Sequence, residues 1–570
     1  MTTIKGIGVS GGIAIAKVHH FKQSSQSTLK RYTNDTVAEV KRLNDALKLA
    51  DNELELLVDQ ARISIGEEHA QIFSAQQMML KDPDMLKNAY VKINDFKLEA
   101  AFAFKQTMRE MIDLFELSDN SYIKERISDL NDITNRVINI LEGKDQKHYT
   151  FNTDVILVAK DLLPSETINL DTKWIKGLLL EKGSKTSHSA ILARNLGIPA
   201  IIGVDTTKFH DDEVLIMDGK TGTIIQEPTI DIIDKYRKSQ DEYILRQQRY
   251  ADIKDTLAKT KDDIRIHMAA NIGVMHDIDD AIINQAEGVG LLRTENQYLE
   301  STDFPTEDEL YAFYKQTSDQ FKTNEVIIRT LDIGGDKNLS YLNLRKELNP
   351  FLGNRAIRYS LSYPSLLKTQ LRAILKANQN KNIKIMFPMI STVKELLDAK
   401  AILAETIVEL SKEKITINQP KVGMMVEVPS TAFGIEKFLD HVDFISIGTN
   451  DLIQYLFAAD RMNEKVAYLY QPYNPILLNT IKTIIDKANS RGIIVSVCGE
   501  MAAHKAQILL LIGLGIKHLS MHANVLLENK YFISKTSFKD IEKLTNDALK
   551  LTHDYEVEVL LHKYIKGLNI

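Results

Sequence analysis

Arg293 and Arg329 each close a short apolar run, and Arg461 follows the pair Asn450-Asp451. Guanidinium forks gathered at one site repel one another unless an anion joins them, and their planar geometry suits phosphate and carboxylate. Glu427 and Asp451 add two carboxylates, a sparse oxygen set of the kind that holds Mg2+ jointly with a substrate phosphate. Together these five residues predict a small phosphorylated carboxylate bound with Mg2+. Any one of them alone would more often be a salt-bridged cap; their shared position at run ends argues for a site. Cys498, the only cysteine, ends another apolar run. A lone buried thiol is usually inert packing, but beside cations it becomes a candidate proton donor or base. His188 is one of 14 histidines and lies in Thr186-Ser187-His188-Ser189, at a predicted helix start. Free N–H groups and positive potential there favour an anion, and a neutral imidazole is a competent nucleophile. The plain alternative is a helix-capping histidine.

The elements that must carry these residues follow from apolar patterning. After residue 263, strands are predicted at 264–270, 289–292, 326–329, 383–387, 422–426, 444–447, 493–497 and 516–520, alternating with helical stretches. Eight such repeats over about 300 residues predict a (β/α)8 barrel of the TIM type spanning 263–570, with polar residues at the strands' C-terminal ends. Short apolar runs at 155–158, 177–180, 200–202 and 214–217, with the helix opened by Ser187-His188, predict a compact α/β domain of residues 1–25 and 146–230. The glycine-punctuated stretch Met1–Lys17 reads as a strand pair of that domain rather than a leader. Between its parts, residues 26–145 hold few breakers beyond Gly66, Pro83 and Gly143 and show helical periodicity. They predict an inserted helical bundle, with a turn at Asp82-Pro83-Asp84 and a second helical stretch running past Ala101 to Leu141. The charged segment 231–262, without Gly or Pro, predicts a linking helix.

Composition narrows the class. The chain has 570 residues, 44% hydrophobic and 26% charged, with a net charge of −6, and its mean hydropathy is −0.18. These values describe a multidomain globular protein, with no basic footprint for nucleic acid and no apolar run long enough for membrane insertion. A single cysteine fits a reducing cytoplasm.

The stretch Asp443-Phe-Ile-Ser-Ile-Gly-Thr-Asn-Asp-Leu-Ile-Gln-Tyr-Leu-Phe-Ala-Ala-Asp-Arg461 closely resembles the signature of enzyme I of the bacterial sugar phosphotransferase system, the phosphoenolpyruvate–protein phosphotransferases. Arg329-Thr-Leu-Asp-Ile-Gly-Gly-Asp-Lys337, Asn349-Pro-Phe-Leu-Gly353, Gly423-Met-Met-Val-Glu-Val-Pro429, Cys498-Gly-Glu500 and Lys185-Thr-Ser-His-Ser-Ala-Ile-Leu-Ala-Arg194 are similar to the same family, in its domain order. The resemblance implies that His188 is phosphorylated, supported by Thr167. It implies that Arg293 and Arg329 hold the phosphate of phosphoenolpyruvate with help from Asn450, Asp451 and Arg461, and that Glu427 and Asp451 bind Mg2+. Cys498 would protonate the departing enolpyruvate, with Lys337 and Arg355 as secondary contacts. The helical bundle would dock the histidine-containing phosphocarrier protein, with Glu67, Glu68 and Arg126 as contact candidates, and the barrel would form a homodimer. Four positions depart from the family pattern: Ser184 and Lys185 replace the usual Gly and Arg, Gly11 replaces a usual Pro after Ser10, and Asn296 stands where an aromatic is common. The related dikinases and synthases need an ATP-binding domain for which this chain has no room and no glycine-rich loop. A non-catalytic scaffold would need none of the Arg, Glu, Asp, Cys and His set.

Overall fold

Val155-Ile-Leu-Val-Ala159 is a run of five buried apolar residues, which suits a strand covered on both faces. In the computed structural model it lies in the middle of an eight-stranded sheet. The structure describes residues 1–21, 28–64, 67–117, 121–144, 151–168, 170, 173–182, 190, 193, 197–299, 301, 303–334, 341, 347–461, 463 and 465–568. The chain divides into two units, residues 1–246 and 247–570.

In the first unit, β1 (Thr2–Lys5), β2 (Ile7–Ser10) and β3 (Ile13–His20) come before the helical insertion. After it come β4 (Val155–Ala159), helix α6 (Pro164–Ile168), β5 (Ile175–Leu180), β6 (Ala200–Ile202), β7 (Val214–Asp218) and β8 (Thr223–Gln226). The strand order is β1-β8-β7-β3-β4-β5-β6-β2. β3, β4, β5 and β6 run parallel to one another, and every pairing outside that set is antiparallel. Separate apolar clusters cover the two faces, one around Leu157 and Leu178, the other around Ile156 and Leu179. That alternation is what a two-period strand imposes.

The insertion holds α1 (Thr36–Ser64), α2 (Glu67–Leu80), α3 (Pro83–Asn94), α4 (Ala100–Glu116) and α5 (Ser121–Glu142), packed around their own core of Leu43, Leu54, Phe73, Phe104 and Ile133. The predicted turn is the cap of α3: Asp82 accepts from the Met85 N–H at 2.8 Å and Pro83 takes the first helical position. The single stretch predicted beyond it is three helices. Lys97 takes a left-handed conformation (φ 57°), and the 94–99 turn is tied to the segment before α1 through Thr33 N–H to Lys97 O, 2.7 Å, and Glu99 N–H to Arg31 O, 3.1 Å. No Gly or Pro announces this break. Helix α7 (Ile230–Ile253) has no buried residue. It stops nine residues short of the predicted end, closing in turns from Lys254 N–H to Ala251 O and Thr256 N–H to Ile253 O, and Asp262 instead accepts the N–H groups of Phe538 and Lys539.

In the second unit, β9 (His267–Ile272), β10 (Val289–Leu292), β11 (Val326–Arg329), β12 (Ile383–Phe387), β13 (Lys421–Val426), β14 (Phe444–Ile447), β15 (Ile494–Val497) and β16 (His518–Met521) close a parallel barrel. The large core cluster, including Leu292, Ile328, Phe387, Met424 and Ile445, lies on one strand face. A second cluster of Leu291, Ile327, Met386, Met425, Phe444 and Cys498 lies on the alternate face and fills the lumen.

Candidate active site

Side chains two residues apart on a strand share a face. Stepping from the lumen residues Leu291, Ile327 and Met425 therefore brings Arg293, Arg329 and Glu427 to the lumen at the C-terminal mouth, and Ser496 leads in the same way to Cys498. All four line one cavity of about 290 Å3, together with Asn450, Asp451, Arg461 and Arg355. Eight of the residues singled out in the sequence thus converge within the second unit.

Arg329 is buried and held from two sides, by Glu295 at 2.7 Å and Asp332 at 3.0 Å. Arg355 reaches Asp332 at 3.1 Å and Asp451 at 3.2 Å, and donates to the Tyr455 hydroxyl at 3.0 Å. Tyr455 in turn donates to the Phe351 carbonyl at 2.5 Å. Arg293 has no ion-pair partner among the described residues. Among the described residues, buried N–H groups find no partner on Arg329 (Nε), Arg355 (Nε) and Arg461 (Nη1). Buried donors are expensive to leave unmatched, so these three mark where an anion's oxygens would be accommodated. The Asn450 amide exchanges hydrogen bonds with Glu500, accepting from its N–H at 2.9 Å and donating to Oε1 at 3.0 Å.

Glu427 accepts the Met389 N–H at 2.6 Å, from a residue in the left-handed region (φ 54°) just after β12. Burial, and next the carboxylates of Asp451 and Asp332, push its carboxyl up to about 8. Two glycines make the room. A Cβ on Gly448 would stand 2.8 Å from Glu427 Oε2, and one on Gly499 would stand 1.9 Å from Thr449 Oγ1. The cavity carries four arginines against Glu295, Asp332, Glu427, Asp451 and Glu500. An incoming phosphate therefore meets little net positive charge from the described residues. The Glu427–Asp451 pair, destabilised by its own repulsion, fits a divalent cation that would supply the difference. No group of three or more His, Cys, Asp or Glu suited to a metal occurs among the described residues, so any such cation would complete its shell with substrate oxygens or water.

Burial pushes the Cys498 thiol up, which keeps it protonated at neutral pH. Its carbonyl accepts from Asn271 Nδ2 at 3.1 Å, and Ser520 Oγ donates to Asn271 Oδ1 at 2.6 Å. Asn296, one of the departures, lines the cavity and donates to the Gly273 carbonyl at 3.1 Å.

The remaining candidates lie elsewhere. Thr167 is in α6 of the first unit, buried, with its hydroxyl donating to Pro164 O at 2.6 Å. Arg126, on α5, pairs with Asp129 at 3.1 Å. Glu67 and Glu68 open α2, and their side chains lie outside the described residues, as do His188, Lys337, Ser184 and Lys185. The arginines' carboxylate partners, Glu295 and Asp332, were not singled out as site residues. Their only signal was spacing, two and three residues after Arg293 and Arg329.

Residues 5–126 match the family described as PEP-utilising enzyme, N-terminal; residues 151–222 match its mobile domain; residues 247–538 match its PEP-binding domain. A protein of Bacillus subtilis named phosphoenolpyruvate-protein phosphotransferase is 41% identical over 570 residues, 99% of this chain and all of that one. Proteins of the same name from Geobacillus stearothermophilus (41% over 559 residues, 97% of each chain) and Lactococcus lactis subsp. cremoris (41% over 573 residues, 99% and 100%) are similar to it along their lengths.

Proposed function

The chain belongs to the phosphoenolpyruvate–protein phosphotransferase family, the enzyme I of the sugar phosphotransferase system, and on that premise we propose how its residues divide the reaction. The enzyme carries out the first step of that system: the phosphoryl group leaves phosphoenolpyruvate, pyruvate is released, and the histidine-containing phosphocarrier protein receives the group. The proposal assigns phosphoenolpyruvate to the barrel mouth and the first acceptor to His188. The observation that carries it is the convergence of Arg293, Arg329, Arg461, Glu427, Asp451 and Cys498 on one cavity.

Arg293, which has no carboxylate partner among the described residues, meets the phosphate first, and the buried donors of Arg329 and Arg461 fix its orientation. Glu427 and Asp451 would hold Mg2+, whose charge, when bound, offsets that of the phosphate oxygens. The imidazole of His188 attacks phosphorus; the N–P bond forms as the bridging P–O bond breaks, and its electron pair moves into the enolate. Cys498 gives its proton to the enolate methylene carbon, which completes pyruvate, and solvent restores the thiol. The hydroxyl proton of Thr167 is spent on Pro164, so that oxygen would accept an imidazole N–H and leave the other ring nitrogen as nucleophile. The helical insertion, residues 26–145, would dock the carrier, with Arg126, Glu67 and Glu68 contributing, and the barrel would pair two subunits in the cytoplasm.

Incubation with phosphoenolpyruvate labelled at phosphorus should give an acid-labile, base-stable adduct that requires Mg2+ and is absent with labelled ATP. His188→Ala should abolish it while phosphoenolpyruvate still binds the barrel. Undiminished label in that variant would move the acceptor to another histidine.

A further inference from the structure

A buried carboxylate outside the barrel is left unused by this reaction scheme. Asp132, on α5 of the inserted bundle, is 2% exposed. It accepts the Ser165 hydroxyl at 2.5 Å on one oxygen and the Ser165 N–H at 2.9 Å on the other, which also receives Gln76 Nε2 at 3.4 Å. Ser165 lies in the first turn of α6, whose leading N–H groups have no partner within their own helix. The cap that a short helix ordinarily takes from the residues just before it therefore comes here from the inserted bundle, 33 residues earlier in the chain. Two residues on, Thr167 is tied to the same turn through Pro164 O. The position of the Thr167 hydroxyl is thus set by a side chain of the bundle.

We propose that Asp132 is a positioning residue of the phosphohistidine site, holding the first turn of α6 so that Thr167 meets the His188 imidazole in register. This rests on the assignment of His188 and Thr167 above. The same carboxylate joins the site to the docking side of the bundle. Gln76 Nε2 also donates to Asp129 at 3.4 Å, and Asp129 receives Arg126 at 3.1 Å. One polar chain therefore runs from half-buried Arg126, the carrier-contact candidate, through buried Asp129, Gln76 and Asp132 to the turn that carries Thr167. Removing Asp132 takes away the buried carboxylate that accepts both the Ser165 N–H and the Ser165 hydroxyl, and with it the anchor of this turn. Displacements of about 1 Å near a reacting group can cost on the order of 10²-fold in rate.

The test uses the full chain with phosphoenolpyruvate and the carrier protein, measuring kcat and KM for carrier. Asp132→Ala should lower kcat about 10- to 100-fold, with KM for carrier changed by less than about two-fold. In a Thr167→Val background the same change should add little, because both act through one contact. Asp132→Leu keeps a similar volume but accepts from neither Ser165 donor, and should lose about ten-fold or more; it carries the test if the alanine variant does not fold. Three outcomes would overturn the proposal: a kcat within about two-fold of the parent, a loss confined to KM, or effects that add fully across Asp132 and Thr167. Transfer persisting in His188→Ala would overturn the histidine assignment and this role with it. That differs from failure of Asp132 alone, where His188→Ala is inactive and Asp132→Ala is not slowed.

Discussion

At the N-terminal ends of the barrel strands, Lys384 pairs with Glu325 and Arg265 with Glu287, each at 2.5 Å. At the C-terminal ends Arg293 has no carboxylate partner among the described residues, and Arg329, Arg355 and Arg461 each keep a buried N–H unmatched. The same strands serve both ends: the lumen face of β16 runs from His518 through Ser520 toward His522, and that of β12 from Lys384 through Met386. Charge is therefore not what distinguishes a binding mouth from a structural floor. The difference is whether the protein itself completes each charged group's hydrogen bonds. A floor that is complete can only stabilise, whereas a mouth left incomplete holds its donors ready for something the chain does not contain.

The comparison is sharpest where function and stability should separate. Cys498→Ala should lower pyruvate formation by about 10²–10⁴, with phosphoenolpyruvate affinity and melting temperature nearly unchanged. Near-normal turnover would return Cys498 to inert lumen packing. Two arginines of the mouth should then behave differently. Arg329→Met removes the buried guanidinium that Glu295 and Asp332 share, leaving Arg355 on Asp332, and should cost about 3–5 kcal/mol in denaturant unfolding as well as activity. Arg293→Met should cost activity alone, by about 10²–10³ in kcat/KM. Equal losses of stability would show that Arg293 has a structural partner.

The floor makes the opposite prediction. Burial, and next the neighbouring His267, lower the His518 imidazole from 6.5 to about 4; Glu325 pulls the other way, and Lys384 and Arg265 add lesser downward effects. The unfolded ring binds its proton below about pH 6.5 and the folded one only near 4, so this contribution is complete above 6.5 and is lost as pH falls through that window. After allowance for partial exposure it is about 1–2 kcal/mol. His518→Gln should flatten the pH dependence of the melting temperature between pH 5 and 7, and leave phosphoryl transfer at pH 7.5 unaltered. The smallest effect belongs to the outer surface: Asp440→Ala, which frees the exposed Arg491, should change stability by less than about 1 kcal/mol.

Much of this was legible in the sequence where local pattern decides. The strands at Val289–Leu292, Val326–Arg329, Ile383–Phe387 and Phe444–Ile447 fall where their apolar runs do, and their polar successors reach the mouth because the two-residue alternation leaves them no other face. The first barrel strand did not. Ile264 and Ile266 read as strand, yet the strand begins at His267, because the 259–265 segment folds back on itself through a Lys259–Arg265 bridge. The Lys97 turn was hidden for a similar reason, being stabilised by contacts to residues 31 and 33 rather than by a breaker of its own. Arg329 and Asp332 are three residues apart, but the pairings of Arg329 with Glu295, of Arg355 with Asp332 and Asp451, and of Asp132 with Ser165 are tertiary and have no local signature.

The insertion of the bundle between β3 and β4 also sets a timetable. β1 finds its hydrogen-bonding partner only in β8, Thr2 against Gln226 and Lys5 against Thr223. At about 5–20 residues per second of synthesis, residue 2 waits roughly 10–45 s for the strand that covers its edge. The five helices between have a core of their own and can condense during that interval from contacts close in sequence. The nascent sheet therefore carries an unpaired edge while its insertion is already folded, and the stretch around residues 2–20 is where a chaperone or a premature strand partner would act first.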